Sequence, residues 1–334
     1  MTADLRPARI GIDVGGTKIL ALLLDPADEV VLERRLATPP DGDGLVAALV
    51  EVTSQLVDAA PGAGCRVEAI GVGMMGLIDR MGTMRFAPNL PGVVEVAIGP
   101  RLADGIGLPV VVDNDATCAL RGEHALGAVR GVADAVLVAF GTGIGAGILL
   151  DGTIVRGANG FAGEAGHMVV QRDGVPCPCG RRGCWERYAS GTGLGRFARE
   201  AAEAGRAPRL VALAGGDPLD VRGEHVTRAA AEGDPVALEL VGEFADWAGL
   251  GIVNLTQLLD VTTVVIGGGM AESAGVLLEP IRRSVARRQV APEHRPPVAV
   301  IAAMLGERAG AIGAALLARP GADRAHPGGG GTGH

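Results

Sequence analysis

Residues 9–25, "RIGIDVGGTKILALLLD", place a glycine-rich turn between two apolar stretches. Each apolar stretch has the length of a strand, so the segment predicts a strand, a Gly-Gly-Thr turn and a second strand. Residues 29–38, "EVVLERRLAT", predict a third strand. Three consecutive strands around one glycine-rich turn are therefore expected in this part of the chain.

The same plan returns in the middle of the chain. Residues 135–155, "AVLVAFGTGIGAGILLDGTIV", predict a strand, a Gly-Thr-Gly turn, a strand, an Asp-Gly turn and a strand. Helices and strands are predicted to alternate after each opening. The predicted elements are helices at 44–59 and from about 116, strands at 68–74, 108–113 and 261–269, and a helix with apolar positions Val236, Leu240, Phe244, Trp247, Gly251, Leu255 and Leu258. We therefore predict an α/β protein in which one lobe is duplicated.

Length and composition agree with two lobes. The chain has 334 residues, which exceeds the usual size of a single hydrophobic core. Of these residues 48% are hydrophobic and 2% aromatic, a composition that suits helices packed on buried strands. A net charge of −8 without a Lys or Arg run argues against nucleic acid or anionic membrane as a partner. No secretory signal is visible, and the longest uncharged run, 135–150, is too short to cross a bilayer. We expect a cytoplasmic enzyme.

The two glycine-rich turns are candidate phosphate-binding loops. Small residues expose backbone N–H groups and let a polyphosphate approach, while Thr and Lys side chains add donors. Either turn alone is also compatible with an ordinary β-hairpin. Duplication at equivalent points of two lobes favours a nucleotide site. Neither turn is a Walker A motif, and neither is a dinucleotide fingerprint that opens a helix.

Residues 166–191, "GHMVVQRDGVPCPCGRRGCWERYASG", contain three of the five cysteines. His167, Cys177, Cys179 and Cys184 supply one imidazole and three thiolates, which is a donor set of closed tetrahedral zinc sites. A disulfide framework is not expected in a reducing cytoplasm. The spacing therefore leaves two alternatives, a structural zinc ion or reduced structural cysteines.

Seven motifs, including parts of the stretches above, follow one another along the chain: "GIDVGGTK", "PNLPG", "DNDATCALRGE", "FGTGIGAG", "GEAGHM", "CPCGRRGCWERYASG" and "VVIGGGMAE". Their order and spacing resemble those of the bacterial sugar kinases of the ROK (repressor, open reading frame, kinase) family, from about Ile10 to Ala318. Within the family, "FAPN", "GCWERYASG", "WAGLGIVNL" and "IGGGMAESAGVLLEPIRRS" look most like glucokinases of actinobacterial type. The resemblance implies the hexokinase/actin-like fold, in which two lobes built on ribonuclease-H-like sheets hold sugar and ATP in the cleft between them.

The resemblance also implies an ATP-dependent hexose kinase that uses magnesium, with glucose as the expected sugar. It assigns the nucleotide to three segments. The implied residues are Asp13, Gly15, Gly16, Thr17 and Lys18 in the first loop, Thr142 and Gly143 in the second, and Gly268 and Gly269 on the adenosine side. Asp13 is expected near the magnesium ion; alternatively, it ends a buried strand and bonds to the backbone.

Phosphoryl transfer to a sugar needs a carboxylate that takes the proton of the attacking hydroxyl. Asp115 follows the apolar strand at 108–113, where open α/β sheets place ligands, and we predict it to be the catalytic base. Alternatively, the "DND" stretch at 113–115 caps the next helix. In the family an Asn-Asp pair, here Asn114 and Asp115, binds the sugar and takes its proton.

The sugar site implied by the resemblance includes residues on both sides of the cysteines, and the resemblance favours zinc over the alternative. The implied sugar-binding residues are Gly76, Asn89, Asn114, Asp115, Glu164, His167 and Glu186, of which His167 contacts both zinc and sugar. The zinc-bound segment is expected to carry Glu164 and Glu186 as fixed acceptors for sugar hydroxyls. Two departures leave the shape of the pocket open: Thr117 replaces the Asn usual in "NDAN", and "NLPGVVE" lacks an aromatic residue.

The expected domains are an N-terminal lobe at 1–130, a C-terminal lobe at 131–320 and a disordered tail at 321–334. The expected partners are a hexose, ATP and further copies of the chain in a homodimer or higher homo-oligomer. Three alternatives remain. Another ROK kinase would act on fructose, mannose or an N-acetylhexosamine; a sugar-sensing repressor would carry a helix-turn-helix before the first loop, which here starts at Gly11; and an actin-type assembly protein would not explain the zinc cluster.

Overall fold

The computed structural model describes residues 5–87, 90 and 92–319. The chain divides into two units, one made of the residues up to Gly122 and those from Gly310 onward, the other of Glu123–Ala309. A five-stranded sheet lies in each unit. Within the described ranges no helix is both long and apolar enough to cross a membrane.

The first unit contains a five-stranded sheet, a two-stranded hairpin and helices. Its elements in the first part of the chain are β1 (Arg6–Val14), β2 (Lys18–Leu24), β3 (Val30–Ala37), α1 (Gly42–Ala59), β4 (Cys65–Met74), β5 (Leu77–Ile78), β6 (Met84–Phe86), α2 (Ile98–Ile106), β7 (Val110–Asn114) and α3 (Asp115–Leu126). The sheet has the order β3-β2-β1-β4-β7. Strand β2 is antiparallel to both of its neighbours, β1 and β3, whereas β4 and β7 run parallel to β1. Its strands are fully buried at positions such as Ile12, Leu23 and Val72, which form the core of this unit.

The second unit repeats this sheet. Its elements are β8 (Ala135–Phe140), β9 (Ile144–Leu150), β10 (Thr153–Ile154), α4 (Glu186–Ala189), α5 (Gly191–Glu203), α6 (Pro208–Leu213), α7 (Gly223–Ala231), α8 (Pro235–Leu259), β11 (Thr263–Gly267), α9 (Ala274–Arg288) and β12 (Ala299–Ala302). The order is β10-β9-β8-β11-β12, again with three antiparallel strands followed by two strands parallel to the central one. The predicted duplication is therefore confirmed, strand by strand.

Helix α8 forms where the helical spacing predicted it. The Asp234 side chain accepts a hydrogen bond from the Ala237 amide at 2.8 Å, which caps the helix, and Pro235 occupies the first turn. Its apolar face is buried against the sheet, where the ring of Phe244 meets that of Phe140 edge-on, with centroids 5.7 Å apart. The long helix thus forms part of the core of the second unit.

The terminal helix, α10 (Ala309–Leu317), packs on the sheet of the first unit. A Cβ built on Gly11 of β1 would overlap the carbonyl oxygen of Ala311, and one built on Gly71 of β4 would overlap that of Ala314. The two glycines therefore let the helix backbone approach the strands directly. Such close packing explains why the chain returns to the first unit.

The observed division differs from the expected boundaries. The sequence analysis placed all of 131–320 in the second lobe, whereas the residues from Gly310 onward cluster with the first unit. The first segment also ends earlier, at Gly122, because the last turn of α3 clusters with the second unit. The expected disordered tail, 321–334, lies outside the described residues.

Candidate active site

The first glycine-rich turn joins β1 to β2. The amide of Gly15 donates to the carbonyl oxygen of Lys18 at 2.9 Å, and the Thr38 hydroxyl donates to the carbonyl oxygen of Gly15 at 2.7 Å. These bonds fix the turn, while Gly16 and Thr17 are exposed at its tip. Exposed small residues at the tip of a turn allow a phosphate group to approach the backbone closely. That this turn binds phosphate stays a prediction.

Two carboxylates lie at the carboxyl ends of parallel strands. Asp13 is in β1, and Asp115 directly follows β7. Burial and the charge of Asp115 raise the pKa of Asp13 to about 7, against the opposing charge of Lys18. Burial also raises the pKa of Asp115, although its Oδ1 accepts a hydrogen bond from the Ala116 amide at 2.8 Å. Carboxylates perturbed in this way are typical of sites that bind a cation or transfer a proton.

Asn114 contacts both helix α3 and Gly76. Its Oδ1 accepts a hydrogen bond from the Thr117 amide at 3.1 Å, so it caps the helix. Its Nδ2 donates to the carbonyl oxygen of Gly76 at 3.4 Å. The first unit thus brings together Gly76, Asn114 and Asp115, three of the residues predicted to bind the sugar. Asn89, a fourth, lies outside the described residues.

The second glycine-rich turn, Gly141–Gly143, joins β8 to β9 and is held by the start of α5. The amide of Gly191 donates to the carbonyl oxygen of Gly141 at 2.7 Å. The Thr192 hydroxyl donates to the carbonyl oxygen of Thr142, also at 2.7 Å. These two bonds hold the turn from outside, and within it the amide of Gly141 donates to the carbonyl oxygen of Gly143 at 3.0 Å.

A cavity of about 620 Å³ opens beside this turn. Gly141, Thr142 and the predicted Gly269 line it, and the first turns of α5 and α7 contribute to its wall. Helix N-termini favour anions, so the cavity suits a phosphorylated nucleotide. Sequence reasoning missed several lining residues, because no quoted motif covers residues 192–227 and because Met270 and Glu272, although within "VVIGGGMAE", were assigned no role. They include Thr192, Arg199, Arg222, Glu224, Thr227, Met270 and Glu272.

The four predicted zinc ligands come together in the second unit. The donor atoms of His167, Cys177, Cys179 and Cys184 all lie within 4.8 Å of one another. The two Sγ atoms of Cys179 and Cys184 are 3.6 Å apart, and Cys177 Sγ is 3.8 Å from His167 Nδ1. Donors around a tetrahedral zinc ion with Zn–S bonds of about 2.3 Å stand roughly 3.8 Å apart. The group therefore fits zinc, and its sulfur separation is too long for a disulfide.

Glu164 and Glu186 flank the imidazole of His167. Glu186 Oε1 is 3.6 Å from Nδ1 of the ring, and Glu164 Oε2 is 3.9 Å from Nε2. Glu186 Oε1 also lies 3.1 Å from the Sγ of Cys177. The three residues predicted to bind sugar on this unit thus form one group beside the cysteine cluster.

The fully buried Trp185 anchors this group, and sequence reasoning did not identify it as a determinant of the site. Its Nε1 donates to the carbonyl oxygen of Trp247 at 2.7 Å, and its ring meets Phe140 edge-on, with centroids 5.9 Å apart. Because Glu186 is the next residue, its backbone is fixed by the core of the second unit. The position of Trp185 within "GCWERYASG" is the signal that indicates this role.

Known proteins are similar to this chain over most of its length. The model of the ROK family matches residues 9–320. The glucokinase of Streptomyces coelicolor is 39% identical over 93% of this chain and 97% of the relative. A putative xylose repressor of Caldicellulosiruptor sp. is 30% identical over 92% of this chain and 77% of the relative. Among solved structures, a ROK family glucokinase from Streptomyces griseus in complex with glucose and AMPPNP aligns with a TM-score of 0.84 and 40% identity, covering 93% of this chain and 99% of that one.

Proposed function

This chain belongs to the ROK family, and we propose that it is an ATP-dependent glucokinase, which converts glucose and ATP to glucose 6-phosphate and ADP. The observation that carries the proposal is the 39% identity to a glucokinase over nearly the whole of both chains. The strand-end carboxylates and the cavity beside a glycine turn agree with it, because phosphoryl transfer needs a base and a phosphate-binding loop.

Asp115 is the general base in this proposal. A sugar hydroxyl is a poor nucleophile until its proton leaves, and the Asp115 carboxylate takes that proton. Burial raises the pKa of Asp115, which makes it a stronger base than an exposed carboxylate. Gly76, Asn89 and Asn114 hold the sugar so that its reacting hydroxyl meets this carboxylate.

Glu164, His167 and Glu186 recognise the other sugar hydroxyls. The two carboxylates accept hydrogen bonds from hydroxyl groups on ring carbons away from the reacting one. A carboxylate held in a fixed position loses its partner when an analogue lacks the hydroxyl, and this loss discriminates between sugars. The side chain of Glu186 is only 17% exposed, so this residue is expected to contribute more to specificity than Glu164.

The two glycine turns hold the phosphates of ATP, through Gly15–Lys18 and Thr142–Gly143, and the adenosine lies by Gly268–Gly269. Asp13 fits a magnesium ion, because burial and the charge of Asp115 both disfavour its ionised form and a divalent cation offsets them. When bound, Mg²⁺ supplies positive charge to the phosphate oxygens during transfer. The carboxylate of Asp13 holds the ion in place.

The cysteine cluster holds a structural zinc ion. Three thiolates and one imidazole complete a tetrahedral set, so a water molecule has no position there. The role of the cluster is to fix the imidazole of His167 between the two glutamates. The homodimer or higher homo-oligomer and the cytoplasmic location stay predictions.

Steady-state kinetics of the purified chain with ATP and Mg²⁺ tests the proposal. The sugars compared are glucose, fructose, mannose and N-acetylglucosamine, with a reaction lacking sugar to subtract ATP hydrolysis. We expect the highest kcat/KM for glucose. A preference for another of these sugars would support the alternative, a different ROK hexose kinase, and sugar binding without turnover would support a sugar-sensing regulator. Either outcome would overturn the glucokinase assignment.

A further inference from the structure

The second glycine turn contains two glycines whose surroundings differ. A Cβ built on Gly141 would meet no other atom within 4 Å, whereas one built on Gly143 would lie 2.5 Å from Oε2 of Glu186. Neither glycine has a positive φ, so the backbone conformation tolerates a side chain at both positions. What Gly143 provides is space, and the carboxylate of Glu186 fills it.

The chain around Glu186 is fixed to the core and to the turn. The preceding residue, Trp185, is fully buried and donates from Nε1 to the carbonyl oxygen of Trp247 at 2.7 Å. A few residues later, the Thr192 hydroxyl donates to the turn itself. The backbone of Glu186 therefore has little freedom to retreat. A methyl group added to Gly143 is accommodated by rotation of the flexible Glu186 side chain.

Rotation would remove the Glu186 carboxylate from the sugar-binding group. In its observed position, Oε1 lies 3.6 Å from Nδ1 of His167 and 3.1 Å from Sγ of Cys177. Moving the end of the side chain away from Gly143 changes these distances and the position from which the carboxylate would accept a hydrogen bond from a sugar hydroxyl, and such bonds weaken steeply when their geometry is lost. The affected contacts are those with His167 and Cys177, beside which the sugar is proposed to bind.

We propose that Gly143 is a positioning residue of the sugar site. Because glycine has no side chain, the carboxylate of Glu186 can occupy the space beside it and stay in its observed position. The inference rests on the proposed role of Glu186 as an acceptor for sugar hydroxyls. It gives Gly143 a role beyond the phosphate loop to which the family resemblance assigns it. The neighbouring Thr142, which lines the nucleotide cavity, keeps its role toward ATP.

The first test compares Gly143→Ala with Gly141→Ala, two identical substitutions within one turn. Gly143→Ala is expected to raise KM for glucose about 10- to 100-fold, the effect of losing a hydrogen bond to a charged group. KM for ATP is expected to change less than about threefold, because alanine keeps the backbone N–H group through which Gly143 would bind phosphate. Gly141→Ala is expected to leave KM for glucose unchanged, so that any effect falls on KM for ATP. The opposite pattern, or equal effects on both substrates in Gly143→Ala, would overturn the proposal.

A double-mutant cycle shows whether Gly143 acts through Glu186. Glu186→Ala removes the carboxylate, so adding Gly143→Ala to it is expected to raise KM for glucose no further. Zinc content and melting temperature are measured for every variant, and Gly143→Ala is expected to keep both near wild-type values. An increase in KM by the same factor in both backgrounds would show that Gly143 acts by another route.

The outcomes separate failure of the inference from failure of the proposed function. If Glu186→Ala leaves KM for glucose unchanged, Glu186 is not an acceptor for sugar hydroxyls. In that case both the inference about Gly143 and the role that the proposed function gives to Glu186 fail. If Glu186→Ala raises KM but Gly143→Ala does not, only the inference fails. If Gly143→Ala does not fold, the double variant decides the matter. A folded Gly143→Ala/Glu186→Ala chain supports the steric contact, and an unfolded one overturns it.

Discussion

In the first unit the glycine turn between β1 and β2 has room for a side chain at Gly16, whereas in the second unit the carboxylate of Glu186 occupies the space beside Gly143 in the turn between β8 and β9. A Cβ on Gly16 would lie 3.6 Å from Met75 Cε, an ordinary contact, whereas a Cβ on Gly143 would lie 2.5 Å from Glu186. Both turns join equivalent strands in sheets of the same order. Topology therefore does not explain the difference, which lies in where each unit carries its carboxylates.

The first unit carries its carboxylates at strand ends, and the second carries them beside the cluster of His167, Cys177, Cys179 and Cys184. Space for Asp13 comes from Gly310 in α10, where a Cβ would lie 2.6 Å from Oδ1. Burial raises the pKa of both Asp13 and Asp115. In the second unit Glu186 is positioned by a buried tryptophan and by the turn. We infer that duplication preserved the sheets, while the first unit came to provide the base together with part of the sugar and phosphate sites and the second the acceptors beside the cysteine cluster.

The largest expected effect tests whether the chemistry depends on the first unit. Asp115→Asn keeps the size of the side chain but removes its ability to take a proton, so kcat is expected to fall about 10²- to 10⁴-fold while KM for glucose changes little. Steady-state kinetics measures both values. Asp104→Asn, at an exposed position of α2, is the matched control and is expected to keep wild-type kcat. Near-normal turnover by Asp115→Asn would remove Asp115 as the base.

Local patterns in the sequence were sufficient to predict the duplicated sheets, the long helix α8 and the position of Asp115. Strand and helix periodicity depend on neighbouring residues, and the donor set of the cluster depends on residue type. The contact between Gly143 and Glu186 could not be predicted, because nothing in "GTG" distinguishes Gly143 from Gly141. Likewise, the apolar sequence of α10 does not indicate which of two similar sheets it covers.

A smaller effect sharpens the comparison by testing the cluster of the second unit. Cys184→Ser removes one of four donors, so zinc is expected to fall from one ion per chain to near none. The melting temperature is expected to fall by roughly 5–10 °C, because metal binding contributes to the free energy of unfolding. Metal analysis and calorimetry measure these changes. Cys65→Ser, at a buried cysteine of the first unit, is the matched control for zinc content. A fully active wild-type chain without zinc would contradict this prediction.

The smallest expected effect is the contribution of the Asp13 carboxyl group, in the first unit, to the pH dependence of the free energy of unfolding. Burial and the charge of Asp115 raise the pKa of Asp13 from 3.8 to about 7. Between these two values the folded chain binds more protons at Asp13 than the unfolded chain does. This contribution to the free energy of unfolding is therefore fully present below about pH 4 and is lost as the pH rises through 7. Above that pH, ionised Asp13 destabilises the fold when no cation is bound.

Asp13→Asn removes this cost and is expected to stabilise the chain in buffer without Mg²⁺. Because Asp13 is only partly shielded from solvent, we expect a gain of about 1–2 kcal/mol at pH 8, or a few degrees in melting temperature, and almost no gain at pH 4. Calorimetry at the two pH values measures the difference, with Asp104→Asn as the exposed control. A variant that is less stable than the wild type at pH 8 would show that Asp13 is held by favourable contacts. Asp13 would then be held in position by its surroundings as Glu186 is, and the difference drawn between the carboxylates of the two units would be wrong.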